Sequence, residues 1–128
     1  MNLNECGRAL VVIYKNGIKE TILSHQYDGG EAYMGPVIRR AVAYAKTHYD
    51  SGDIGTILKA ESAMEDGTDI PYLGDVKHVY YVCSQYNAQT EKKMYTAKVI
   101  HLKKGKQCTR DMLPELVSAI PSSATKVV

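Results

Sequence analysis

Residues 9–14, Ala-Leu-Val-Val-Ile-Tyr, and residues 18–23, Ile-Lys-Glu-Thr-Ile-Leu, flank the triplet Lys15-Asn16-Gly17. No other feature constrains the fold of this chain as strongly. Asn-Gly takes the positive φ angles of a type I′ turn, whose twist matches that of two antiparallel strands. The segment is therefore expected to be a β-hairpin, with Tyr14 opposite Lys19 and Val11 opposite Ile22.

A polar loop follows, Ser24-His25-Gln26-Tyr27-Asp28-Gly29-Gly30. Beyond it, Val37, Ile38, Ala41, Val42 and Ala45 recur at helical spacing and predict a helix from about Glu31 or Pro36 to Tyr49. Proline fits the first turn of a helix, so its firm part is expected near Gly35. Asp53 is placed to cap a second helix that buries Ile54, Ile57, Leu58 and Met64. Residues 65–74 read as a loop. Asp75–Ser84 reads as a strand, Gln85–Lys93 as a polar connector, and Met94–Leu102 as the antiparallel partner strand, with Tyr95, Ala97 and Val99 on one face. A last helix spans about Met112 to Ile120, with Asp111 as its N-cap and Pro114 in its first turn. Hairpins dominate this order. The expected fold class is α+β: an antiparallel sheet of about four or more strands with two to three helices packed on one face. The chain, 1–128, is expected to form a single domain with a frayed tail at 122–128. A sheet this small leaves an edge or face uncovered, which self-association would cover.

Composition narrows the setting. There is no run of about 18 apolar residues and no signal-peptide pattern at the start, so a soluble cytoplasmic protein is expected. Cys6, Cys83 and Cys108 form an odd set with no close pair, which reads as reduced thiols and not as a disulfide framework or zinc knuckle. A net charge of +2 is too small to indicate binding to duplex nucleic acid. Basic residues do cluster locally, at Lys92-Lys93 and Lys103-Lys104-x-Lys106. Such runs read either as solvated turns or as a local anion site. The chain has ten tyrosines and neither phenylalanine nor tryptophan, so some tyrosines must take core positions while others are open to stacking.

The four histidines, His25, His48, His78 and His101, make no HxH or HExxH pattern, and no CxxC is present. Phosphate-binding GxxxxGK[ST], dinucleotide-binding GxGxxG and nucleophile-elbow GxSxG patterns are likewise missing. The expectation is a binding protein with no catalytic residues, metal or cofactor. Three features support binding. The His25–Gly30 loop leads into a helix start, where unpaired N–H groups suit phosphate; alternatively, Asp28 and the glycines simply turn the chain and cap the helix. Tyr80 and Tyr81 are adjacent in a strand, so one ring must face outward and can stack on a base, unless it is an ordinary surface tyrosine. Arg39 and Arg40 offer a second anion contact, or a solvated helix face.

The order strand, Asn-Gly turn, strand, His25-Gln26-Tyr27-Asp28-Gly29-Gly30, helix, and later Gly74-Asp75-Val76-x-x-Val79-Tyr80-Tyr81-Val82, resembles a group of small phage and prophage proteins, specifically the Thoeris anti-defence protein 1 family. The chain departs from that group after Asp28, where an aromatic residue and a proline are usual. The resemblance implies a phage-encoded sponge that binds cyclic nucleotide immune signals without cleaving them. These are cyclic ADP-ribose isomers and, in some members, cyclic trinucleotides. It implies immune evasion in the host cytoplasm and a homodimer or higher homo-oligomer such as a hexamer. It carries the ligand contacts onto Tyr81 or Tyr80, Asn87 and Arg110, with Gln26 and Arg39 or Arg40 at a second site. The alternatives are a phage protein inhibiting a host enzyme by direct binding, a hydrolase of the same signals, and a nucleic-acid accessory factor.

Overall fold

The computed structural model describes residues 7–25, 28–48, 53–67, 73–102 and 108–128. Strands β1 (Arg8–Lys15) and β2 (Ile18–His25) are followed by helices α1 (Glu31–Thr47) and α2 (Ile54–Ser62) and a short β3 (Glu65–Asp66). Then come β4 (Val76–Asn87), β5 (Lys92–His101), a 3₁₀ turn (Arg110–Met112), α3 (Leu113–Ser118) and β6 (Thr125–Lys126). The fold is α+β, and the six strands lie in the order β3-β2-β1-β4-β5-β6. β1 and β4 run parallel, and the other pairings are antiparallel.

The hairpin forms where the sequence places it, with Asn16 at φ 52° and Gly17 at φ 81°. Tyr14 faces Lys19 as expected, but Val11 faces Leu23 and not Ile22. Between Ile13↔Thr21 and Tyr14↔Lys19 the register shifts by one, leaving Glu20 as an inserted residue. A one-residue insertion reverses the facing of everything beyond it. Leu23 therefore enters the core beneath α1 and α2, and Ile22 enters the core on the other side.

Both faces of the sheet are covered. On one, Ala9, Val11, Ile13, Leu23, Tyr80, Val82, Ala97 and Val99 pack with the buried side of α1 and α2. On the other, Leu10, Val12, Tyr14, Ile22, Val79 and Tyr81 meet Leu113, Leu116, Val117 and Ile120. The expectation of helices on a single face holds for α1 and α2 and fails for α3. The apolar run of β1 explains why: it does not alternate, so both of its sides need cover.

Local chemistry sets the helix ends. The Gly30 carbonyl accepts from Met34 N at 2.9 Å, and Asp28 Oδ1 accepts from Gly30 N at 3.1 Å, so α1 starts at Glu31 and not near Gly35. Pro36 thus lies in the second turn, where the carbonyl it leaves without a donor belongs to exposed Ala32 and is open to water. Gly29 is buried against β1; a Cβ there would stand 2.6 Å from Gly7 O and 2.9 Å from Ala9 Cβ, so only glycine fits. Asp53 caps α2 by accepting from Thr56 N at 2.8 Å, as expected.

Several boundaries differ from the expectation. Glu65–Asp66, at the start of the expected loop, pairs with Ser24 and Leu23 as an edge strand. β4 runs through Asn87 and β5 starts at Lys92, because the antiparallel ladder continues into the polar segment. Asp111 sits inside the 3₁₀ turn and does not cap α3, which follows Met112 without a side-chain cap. Residues 122–128 are not frayed. Thr125–Lys126 pairs with β5, Val127 N donates to Ala97 O at 2.7 Å, and Val127 and Val128 pack on the α1-side core.

Candidate functional site

The sheet disposes of the tyrosine pair. Tyr80 and Tyr81 are each 0% exposed and point into opposite cores. Tyr80 Oη donates to Gly29 O at 2.8 Å, and Tyr81 Oη donates to Leu116 O at 2.8 Å. Neither ring can stack on a ligand, because α3 covers the face that one of them was expected to leave open. Burial, aided by the neighbouring Tyr14, pushes the Tyr81 phenol up to about 12.

The other expected contacts are scattered. Asn87 ends β4, where its Oδ1 accepts from Gln89 N at 2.9 Å and Thr90 N at 3.3 Å and so shapes the turn. Arg110 is exposed in the turn that leads into α3, the helix on the opposite face from α1. Asp28 is exposed before α1, and its carboxylate is engaged in the turn. Arg39 is exposed on α1 with its guanidinium lying against Gly35. Arg40 pairs with Glu61 of α2. Gln26 lies outside the described residues, as do Cys6 and Lys103, Lys104 and Lys106. The other two cysteines are free thiols, and burial pushes both upward in pKa. Among the described residues no helix is long and apolar enough to cross a membrane, and no group of three or more His, Cys, Asp or Glu side chains is arranged to hold a metal.

Among the described residues, two cavities flank the C-terminal half of α1. The larger, about 250 Å³, lies between α1 and α2 and is lined by Tyr44, Thr56, Ile57, Ala60 and Glu61. The Tyr44 ring, 44% exposed, stacks on His48 at 3.8 Å and 4°. Aromatic surface is present there, but Glu61 lines the cavity and neutralises the nearby guanidinium of Arg40, so it disfavours an anion.

The smaller cavity, about 190 Å³, is lined by Ala45, Lys46, Lys92 and Lys93. Lys46 comes from the last turn of α1, where a cation complements the helix dipole. Lys92 and Lys93 open β5 directly after the turn. None of the three amines has a carboxylate within ion-pair distance among the described residues. Tyr86 stands opposite Lys93 in the ladder and is 50% exposed. Cross-strand neighbours lie about 5 Å apart at Cβ, so an open ring sits beside Lys93. Strand alternation from Tyr80 and Val82 puts Tyr86 on the α1 side of the sheet. Its amide donates to Asn16 Oδ1 at 2.9 Å, which ties this corner to the hairpin turn.

The basic run at 92–93 was visible in the sequence. Lys46 and Tyr86 were not, because their approach depends on where α1 ends and on β4 continuing past Ser84. No family model, curated protein or solved structure matches the chain.

Proposed function

We propose that this protein binds and sequesters an anionic nucleotide signal, with phosphate at the Lys46–Lys92–Lys93 cavity and the base on Tyr86. The observation that carries this reading is that Lys46, Lys92 and Lys93, none ion-paired among the described residues, line one concavity beside an exposed aromatic ring. At about 190 Å³ the cavity is smaller than the ~300–1,000 Å³ of a drug-sized ligand site. It suits phosphate groups, leaving sugar and base outside on Tyr86. Stacking contributes about 1–3 kcal/mol per base, and each charge-assisted contact about 1.5–3 kcal/mol. Together these support micromolar to nanomolar capture. Among the described residues, no carboxylate, imidazole or thiol lines the cavity.

The resemblance to Thoeris anti-defence protein 1, resting on short motifs, supplies the ligand class: cyclic ADP-ribose isomers or cyclic oligonucleotides in the cytoplasm of an infected host. Asn87, next to Lys92 across the ladder, is the residue of the expected set that stands closest in register to this cavity. Self-association into a dimer or hexamer belongs to the same reading.

The test is a thermal-shift screen with cyclic ADP-ribose isomers and cyclic di- and trinucleotides, followed by mass analysis of what stays bound after denaturation. An intact cyclic nucleotide should be recovered. Lys93→Ala and Tyr86→Ala should each weaken binding about 10-fold or more. Ligand binding that survives Lys46→Ala, Lys92→Ala and Lys93→Ala combined would place the site elsewhere.

One observation favours a protein ligand instead. Ile18 and Met94, 73% and 63% exposed, are large apolar side chains near the same end of the sheet. An inhibitor that blocks a host enzyme by direct contact would use them. It would show no small-molecule shift and would lose its partner on Ile18→Lys.

A further inference from the structure

Where β2 ends, α1 begins and α2 ends, side chains from three elements converge on one hydroxyl. His25 Nε2 lies 3.1 Å from Ser62 Oγ, and the Tyr33 hydroxyl lies 2.6 Å from the same oxygen. The Tyr33 and His25 rings are 5.1 Å apart at 33°. His25 is buried at 7% exposure, Ser62 is half-buried and Tyr33 is 39% exposed, so the group opens to solvent at its hydroxyl end.

Ser118 Oγ donates back to Glu115 O, the usual resting place for a hydroxyl at a helix end. Thr47 Oγ1 lies near the Ala43 and Tyr44 carbonyls and 2.8 Å from His48 Nδ1, the residue next to it in the chain. Ser62 turns to an imidazole and a phenol brought from distant segments of the chain. Burial holds the imidazole below the ordinary histidine range, while the charge and backbone carbonyl of Asp28 pull the other way more weakly. That direction favours the neutral ring, whose Nε2 is the nitrogen facing Ser62. A hydroxyl and an imidazole within about 2.6–3.2 Å form the nucleophile–base pair of covalent hydrolysis; the other ring nitrogen, Nδ1, is buried with no hydrogen-bond partner among the described residues.

We propose that Ser62 is a nucleophilic serine with His25 as its base, and that the centre hydrolyses small uncharged carboxylic esters. Ser62 Oγ attacks the ester carbonyl carbon while its proton passes to His25 Nε2. The ester C–O bond breaks, and the alcohol leaves with the proton that His25 returns. Water then gives a proton to His25 and attacks the acyl-serine, releasing the acid and restoring the Ser62 hydroxyl. The Tyr33 hydroxyl is within reach to donate to the carbonyl oxygen as charge grows there. Asp28 stands close to His25, so the local charge opposes an anionic substrate; this separates the centre from phosphate chemistry. It does not rest on the nucleotide reading.

The test is fluorophosphonate labelling of the full chain with peptide mapping by mass spectrometry, alongside hydrolysis of p-nitrophenyl butyrate. The expected result is an adduct on Ser62 and turnover that falls about 100-fold or more in Ser62→Ala. Ser62→Ala keeps a good helix former at a half-buried helix end and removes no methylene, so it will fold. Tyr33→Phe should lower kcat with KM unchanged. Turnover should fall as pH drops below the ordinary histidine range, following protonation of His25. An adduct absent from Ser62, or Ser62→Ala as fast as the parent, would overturn the assignment.

Discussion

Tyr80 and Tyr81 are neighbours in β4, yet they serve two cores. With no Phe or Trp in the chain, tyrosine takes the large aromatic positions, and each ring brings a hydroxyl that needs an acceptor. Tyr14 and Tyr81 sit 6.4 Å apart at 26°, and their hydroxyls donate to the carbonyls of Val117 and Leu116. These two bonds fasten α3 to the sheet. The Tyr81 phenol has a pKa of about 12 in the fold and near 10 when unfolded. Below pH 10 the phenol is protonated in both states and pH has no effect through it. Between pH 10 and 12 the unfolded chain releases this proton and the folded chain keeps it, so stability falls as pH rises, by about 2–3 kcal/mol across the window. Tyr81→Phe should cost about 1–3 kcal/mol at pH 7, because the Leu116 carbonyl loses its donor. It should then lose less than the parent between pH 10 and 12. Urea unfolding at pH 7, 10 and 12 measures both effects, and parallel decline of parent and variant would exclude this phenol as the cause.

At the scale of elements, the split between what could and could not be read follows the reach of each signal. The Asn16-Gly17 turn, the stripe of α1, the Asp53 cap and the β4–β5 pair are written within a few residues of each other. The inserted Glu20, the parallel β1–β4 pairing and the side chosen by α3 depend on partners far along the chain. The unbroken apolar run of β1 signals two covered faces, whereas the order of hairpins and helices points to one. The candidate site divides the same way. Lys92-Lys93 was legible as a basic run, whereas its union with Lys46, and that of His25 with Ser62, needed the fold. The C-terminal residues 122–128 read as a polar tail because Ser122, Ser123 and Thr125 hide the value of Val127 and Val128. As an edge strand the tail shields β5 and adds apolar cover beside Tyr95. Deleting Thr125–Val128 should cost about 1–3 kcal/mol, since two half-buried valines and several backbone bonds are lost. It should also speed hydrogen exchange at the Ala97 amide, which bonds to Val128 O at 3.3 Å. Unchanged stability and exchange would return the tail to the frayed state.

Across the whole molecule, α1 acts as a strut between two chemically opposite ends. Its N-terminal end meets Asp28, Glu31 and His25, with Glu31 also pairing to His101 at 2.9 Å. Its C-terminal end presents Lys46 toward Lys92 and Lys93. The net charge of +2 conceals this polarity, because the two ends largely cancel in the sum. Helix rise puts Tyr33 and Lys46 about 20 Å apart, roughly two Debye lengths at physiological salt. At that separation, with no shared partner, substitutions should act additively. Ser62→Ala should therefore leave cyclic nucleotide affinity within about 2-fold of the parent, and Lys93→Ala should leave ester turnover within the same margin. The double variant should show both losses and no more. Titration of nucleotide by calorimetry and p-nitrophenyl butyrate kinetics on the four proteins complete the cycle. A loss of nucleotide binding in Ser62→Ala would mean that one ligand spans both ends, and the separate assignments would have to be merged into a single site.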